Sequence, residues 1–511
     1  MNMRNFFILI FSIFLGIALG YALQSTSSKN LRTLQSLYDE AIRIIQNYYV
    51  DEEDPADLIE ESIKGMLQSL DPYSEFLTPE DLEKLKTTTT GTYGGVGMEV
   101  RKQGNNVVIV STFEGTPAYR AGLKPGDIIV KVNDTTVSNM ELEDVVNMIK
   151  GDPGTKVKLT ILRPGFTELM NFELIREIIN VPVVAYYGIL EGNVGYIRFT
   201  QFSQGSSDKI ASAIDSLRKL GAKKFILDIR GNPGGLLYEA VRVSNLFLDK
   251  NSIITFTKGR TPDAEEYFRA TEKPILDFSV PLVVLIDYAS ASASEIVAGA
   301  LQDWDRALII GDTSYGKGSV QRVIPLRDNY AIKLTTSRYY TPSGRSIDRT
   351  TKTLKERKEK IKKDNTLLFF TKRLNRKVYG GGGIVPDIVI EQKSEPQIIV
   401  KMIGEGLFNE FAGEWKKKNP NITNFEMNED IYNEFKKFAE KKGYSSSELD
   451  AVKDKIIKNL DISISEMING SKGRYEKLLK YDDVVKKAIE ALSKAKSTDD
   501  LFNYLKAQKN E

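Results

Sequence analysis

Residues 291–303 read ASASEIVAGALQD. With Ser290 counted, three serines alternate with alanines, an acid follows, and an apolar helical run begins. A serine at the start of a helix ordinarily caps it. To act as a nucleophile it needs a group that takes its proton. The 511-residue chain contains no histidine and no cysteine. That excludes a Ser-His-Asp triad, a Cys-His pair and any zinc site built on those side chains. The base for a serine must therefore be Lys, Asp, Glu or an amine. Sites for Mg or Ca made only of Asp and Glu stay open, although no EF-hand or P-loop spacing is present.

Three segments could supply the parts of such a site. VPLVVLID, 280–287, reads as a buried strand, and the serine cluster after it opens a helix. A residue at that junction faces a cleft. The N–H groups of a first helical turn have no internal partner, and the positive end of the helix dipole points there. A developing oxyanion would be stabilised in such a place. FILDIRGNPGGLL, 225–237, is a strand followed by a glycine-rich turn. Glycines without Cβ let backbone N–H groups approach a ligand. The plainer reading is a turn feeding a helix, and the G-x-G-x-x-G fingerprint of a dinucleotide loop is absent. GDTSYGKGSVQ, 311–321, places Lys317 between two glycines, which leaves room for a substrate backbone, or else simply exposes a loop lysine. A lysine begins near 10.4 and must fall to about 7–8 to act as a base at neutral pH. That is about 4 kcal/mol, within what full burial supplies.

The elements that must position these residues follow from periodicity. After Arg4, residues 6–23 (FFILIFSIFLGIALGYAL) carry no charge. Eighteen helical residues span roughly 27 Å, close to a bilayer core. This reads as an uncleaved anchor, with a cleaved signal peptide as the alternative, and it puts the remainder outside the cytoplasm. Leu31, Leu34, Leu37, Tyr38, Ala41, Ile42, Ile45 and Tyr49 recur at helical spacing, a second helix is expected over 56–69, and Thr78-Pro79-Glu80-Asp81 starts a third. From Gly91 short strands alternate with glycine turns around one helix at 141–151. Residues 180–345 alternate strands and helices, the pattern of an α/β layer. Residues 349–377 hold 12 Lys or Arg against three acids, a solvated insertion or a contact surface. Beyond about 395 the chain is lysine-rich and helical, and Trp415, Phe425, Phe435 and Leu449 suggest packing. A net charge of +2 gives no global pull toward nucleic acid or anionic lipid.

Taken together, SASASEIVAGALQD, IRGNPGG, GDTSYGKGSVQ, YTPSGRSI and GGIVPDI, with DPYSEFL at 71–77, resemble the carboxyl-terminal processing peptidases, or tail-specific proteases. Gly94-Gly95-Val96-Gly97-Met98 and PAYRAGLKPGDIIVKVND resemble a PDZ domain. The resemblance implies a multidomain chain: a segment 1–28, a helical region 29–90, a PDZ domain 91–166, an α/β (crotonase- and ClpP-like) peptidase core over 167–348 plus 380–393, a basic insertion 349–379 and a helical region 394–511. It implies a serine endopeptidase that processes or degrades extracytoplasmic proteins, with Ser292 as nucleophile and Lys317 as base. Gln321 would help hold the lysine, and Asp303 would be an accessory acid. The oxyanion donors would be the amide of Ala293 and one from Gly234 or Gly235, with Gly235 preferred. Ser290, Ser294 and Glu295 read as structural or capping residues. Gly95, Val96, Gly97 and Met98 would bind the free carboxylate of a substrate tail, the peptide adding as a strand beside that loop.

The resemblance implies no metal, no other cofactor and no nucleic-acid partner. The partners would be polypeptides with free C-terminal tails, the membrane through the N-terminal segment, and a second copy of the chain as an option raised by the N-terminal helices. The basic insertion departs from the pattern, because YTPSGRSI and GGIVPDI are expected nearly adjacent. Two other readings remain: a catalytically inactive, membrane-tethered PDZ scaffold, and a crotonase-like acyl transferase.

Overall fold

The computed structural model describes residues 30–349, 368–391 and 394–510. The apolar segment 6–23 and most of the basic insertion lie outside these residues. Among the described residues no helix is long and apolar enough to cross a membrane. The described residues divide into two compact units, one within 1–79 with 321–335 and the other within 80–320 with 336–511.

In the smaller unit a helix spans residues 30–48 and a second runs Pro55–Gln68. Asp54 caps the second by accepting from Ala56 N, and Pro55 takes the first position, where no N–H is needed. Leu31, Leu34, Leu37 and Ile45 of the first helix are exposed, Leu34 by 62%. The strand Glu75–Leu77 pairs antiparallel with residues 331–333, and Phe76 stacks on Tyr330.

The larger unit contains the expected β module. Its sheet joins Met98–Gln103, Asn106–Thr112, Ile128–Val132, Lys156–Leu162 and Leu169–Ile175, with the helix Leu142–Ile149 against it. Val96, Ile109, Val132, Val145 and Leu159 form its interior. The sheet continues past the expected boundary at 166. Residues 169–175 pair with 156–162 along their whole length, so a cut at 166 would strip a strand.

The α/β core is a six-stranded sheet ordered Val184–Leu190, Val194–Phe199, Lys224–Asp228, Leu282–Ile286, Leu308–Gly311 and Ile388–Val389. The first pair is antiparallel and the rest are parallel. Both faces are covered, which is why VPLVVLID reads as one apolar run. Phe225, Leu227, Val284 and Ile286 pack against the helices Ser206–Lys219, Leu237–Asn245 and Ala293–Asp303. Ile226, Val283, Leu285 and Ile310 meet Val485, Leu492, Phe502 and Leu505 from the end of the chain.

That second contact divides the expected C-terminal helical region between two cores. Helices from Gln397 to Tyr481 build their own core around Phe408, Phe411, Trp415, Phe425, Phe435 and Leu449. Asp483–Ser493 and Thr498–Asn510 instead roof the six-stranded sheet. The described part of the basic stretch carries secondary structure. Its end, Leu368–Phe370 with Lys377–Tyr379, is a β-hairpin. Arg376 of that hairpin pairs with buried Asp305 and Asp387, both at 2.6 Å.

Candidate active site

The strand Leu282–Ile286 is buried at all five positions. It delivers the chain to Ser292, which sits at φ 56° and ψ −113° immediately before the helix Ala293–Asp303. A non-glycine residue at positive φ costs of order 1–3 kcal/mol and persists only where its surroundings impose it. Here they do. Ser290 Oγ donates to Ile229 O at 2.9 Å, and Ser294 Oγ donates to Asn232 O at 2.9 Å. Ala291 N donates to the same Asn232 carbonyl, and Asp287 Oδ1 accepts from Gly231 N at 2.8 Å. Ser290 and Ser294 thus fasten the serine segment to the glycine turn on both sides of Ser292.

The glycine turn lies directly beside the serine. A Cβ on Gly234, at φ +99°, would fall 2.7 Å from Ala291 O and 2.9 Å from both Ala293 N and Ser292 Cβ. A Cβ on Gly235, at φ +142°, would fall 2.2 Å from Phe202 O. Gly234 N already donates to Asn232 Oδ1 at 2.9 Å. Gly235 N and Ala293 N have no hydrogen-bond acceptor among the described residues. Of the two glycines, Gly235 therefore has the N–H to offer.

Lys317 is half-buried and lies in the segment after the strand Leu308–Gly311. Two groups bind it to the serine segment. Tyr339 Oη is within hydrogen-bond reach of Lys317 O at 2.6 Å and Ser292 O at 3.1 Å. Glu295, buried inside the helix, accepts from both sides. Its Oε2 takes Ser292 N and Lys317 N, each at 2.9 Å, and its Oε1 takes Gly316 N at 2.7 Å and Ser314 Oγ at 2.5 Å. Burial pushes this carboxyl up to about 7, against those four hydrogen bonds, which favour its charge.

The glycines flanking Lys317 have a different reason from the one expected. A Cβ on Gly316 would meet Arg349, and one on Gly318 would meet Asp348. The room beside the lysine backbone is filled by the chain's own residues 348–349. Arg349 also donates to Ser314 O and Gly382 O, which ties YTPSGRSI and GGIVPDI to the lysine segment.

Asp303 is not brought to the serine. It ends the same helix, roughly 16 Å along the axis from Ser292 by helical rise. There it pairs with Arg345 at 2.8 Å, both side chains fully buried, and accepts from Ser343 N at 2.8 Å. Gln321 belongs to the smaller unit. Its Nε2 donates to Thr335 Oγ1, which donates to Asp71 Oδ1 of DPYSEFL. In the β module, Val96 and Met98 are buried, and Gly97, at φ +79°, leaves no space for a Cβ against Thr116. Gly95 ends the strand Thr92–Gly95, paired with Glu177–Asn180.

Two residues of the site were not foreseen. The S-x-x-E spacing signals Glu295 as a helix cap, but nothing local tells that its carboxylate also reaches residues 314–317. Tyr339 has no sequence signal at all beyond a place in a strand.

Family models for peptidase family S41 and for a PDZ domain match residues 193–355 and 108–163. Two more, for the activating protease CtpB N-terminal domain and the probable PDZ-protease C-terminal helical domain, match 21–81 and 398–448. A carboxy-terminal-processing protease of Bartonella bacilliformis is 37% identical over 76% of this chain and 83% of its own length. The chain belongs to the carboxy-terminal-processing proteases of family S41. The Bacillus subtilis carboxy-terminal processing protease CtpA is 36% identical over 68% of this chain and 75% of its own. The photosystem II D1 C-terminal processing protease is 27% identical over 71% of this chain and 94% of its own, with a TM-score of 0.38. The protease is thus a serine peptidase by family, with a PDZ domain, an α/β core and helical regions at either end.

Proposed function

We propose that this protease cleaves peptide bonds with a Ser292–Lys317 dyad and selects extracytoplasmic polypeptides by their free C-terminal tails. The observation that carries the reading is the meeting of two segments 25 residues apart. One carboxylate oxygen holds the amides of both Ser292 and Lys317, and one tyrosine hydroxyl reaches both carbonyls. Neutral Lys317 takes the Ser292 proton as Oγ attacks the substrate carbonyl. The Ala293 and Gly235 amides receive the oxyanion at the helix N-terminus. The lysinium gives its proton to the leaving amine, and water then opens the acyl-enzyme with the same lysine as base.

The Gly95–Met98 loop takes the terminal carboxylate of the substrate and the tail adds as a strand. Residues 6–23 carry the chain across the cytoplasmic membrane. The exposed leucines of helix 30–48 support pairing of two copies.

The test incubates the purified protease, and its Ser292→Ala and Lys317→Ala variants, with an unfolded protein bearing an apolar C-terminal tail. Products are followed by mass spectrometry. Cleavage by the wild type alone is expected. Full activity in either variant refutes the dyad.

A further inference from the structure

We propose that Glu295 is the positioning residue that sets the geometry between nucleophile and base. The inference rests on the reading of Ser292 and Lys317 as the dyad. A helix cap would need only the bond to Ser292 N. The other three donors, Ser314 Oγ, Gly316 N and Lys317 N, all come from the lysine segment. The two oxygens divide the work. Oε2 holds the two chemical residues by their amides. Oε1 holds the approach to the lysine, and Ser314 Oγ in turn accepts from Ile384 N at 2.6 Å. Four donors on one carboxylate offset part of the cost of burying its charge. Glu295 touches no reacting atom. It acts through the backbone of the residues that do.

The substitution Glu295→Gln keeps the size and removes half the acceptors. Its NH2 faces either the Ser292 and Lys317 amides or the Gly316 amide, and one segment must move. Displacement of a catalytic group by about 1 Å costs on the order of 100-fold in rate. Glu295→Asp keeps the charge but is one methylene too short to reach both segments.

The experiment compares wild type, Glu295→Gln, Glu295→Asp and Ser292→Ala with a fluorogenic peptide and a fluorophosphonate serine probe. Folding is followed by near-UV circular dichroism. In folded Glu295→Gln, kcat is expected to fall about 100-fold with KM within about threefold, and the probe to label each folded molecule correspondingly slowly. Residue 295 as a mere fold element would lower the folded fraction and leave the labelling rate per folded molecule unchanged. That result overturns the proposal. If the Gln variant does not fold, Glu295→Asp carries the same test. Cleavage by Ser292→Ala would overturn the dyad and this inference with it. An inactive Ser292→Ala beside a fully active Glu295 variant would overturn this inference alone.

Discussion

Asp303→Ala separates an acid that takes part in chemistry from one that holds the fold. Asp303 pairs with Arg345 at 2.8 Å where neither side chain is exposed. The guanidinium also donates to Gln302 Oε1 at 2.7 Å and Tyr379 O at 2.8 Å, and Asp303 accepts Ser343 N. Removing the carboxylate leaves a buried cation with neutral partners only and an unsatisfied amide. Breaking a buried pair on one side costs about 3–5 kcal/mol. At roughly 2–4 °C per kcal/mol for a domain of this size, Tm should fall by roughly 6–20 °C. Ser292 is eleven residues away along a rigid helix, so the chemistry of molecules that stay folded should be intact. Differential scanning fluorimetry reads the first quantity. Active-site titration with a serine probe, followed by kcat per titrated site well below the variant's Tm, reads the second. An unchanged Tm with kcat per site reduced 100-fold would refute this reasoning and return Asp303 to the mechanism.

Tyr339→Phe removes one hydroxyl from two carbonyls; about 1 kcal/mol of stability should go, and kcat should fall more than KM rises, as steady-state kinetics would show. Gly235→Ala forces a Cβ to 2.2 Å from Phe202 O and should abolish turnover, whereas retained activity would remove Gly235 from the oxyanion role. Full-length Ser292→Ala should bind an apolar-ended peptide at least tenfold more tightly as the free acid than as the amide, by fluorescence anisotropy; equal affinity would refute carboxylate recognition. The Glu295 carboxyl is raised from 4.5 to about 7, so its stabilising contribution is full below pH 4.5 and is lost as pH rises through 7. That swing is about 3 kcal/mol, and the Tm of wild type relative to Glu295→Gln should therefore climb as pH falls from 8 to 5.

What the sequence disclosed, and what it hid, divide along a physical line. Strands buried on both faces announce themselves as apolar runs, so Leu282–Ile286 and the helix after it were legible, and with them the place of Ser292. The β module was legible because its turns need glycine, although residues 169–175 were missed: their exposed and half-buried positions leave only Leu174 in the core. The two helices that roof the catalytic sheet look, in sequence, like the five before them, because amphipathic periodicity reports that a face is covered and not by what. The site divides in the same way. Ser292 and Lys317 carry recognisable flanks, whereas Glu295 and Tyr339 matter through contacts closed by the tertiary fold. Asp303 is the instructive case. Its neighbourhood in sequence is that of the nucleophile, yet a helix converts eleven residues into roughly 16 Å, and its partner Arg345 comes from YTPSGRSI. Arg349 closes the same circle by tying the lysine segment to residue 382. The motifs around this site are therefore one buried network. The dyad lies at one end of a helix and the ion pair at the other, so the pair anchors the helix that carries Ser292 without entering the chemistry at its start.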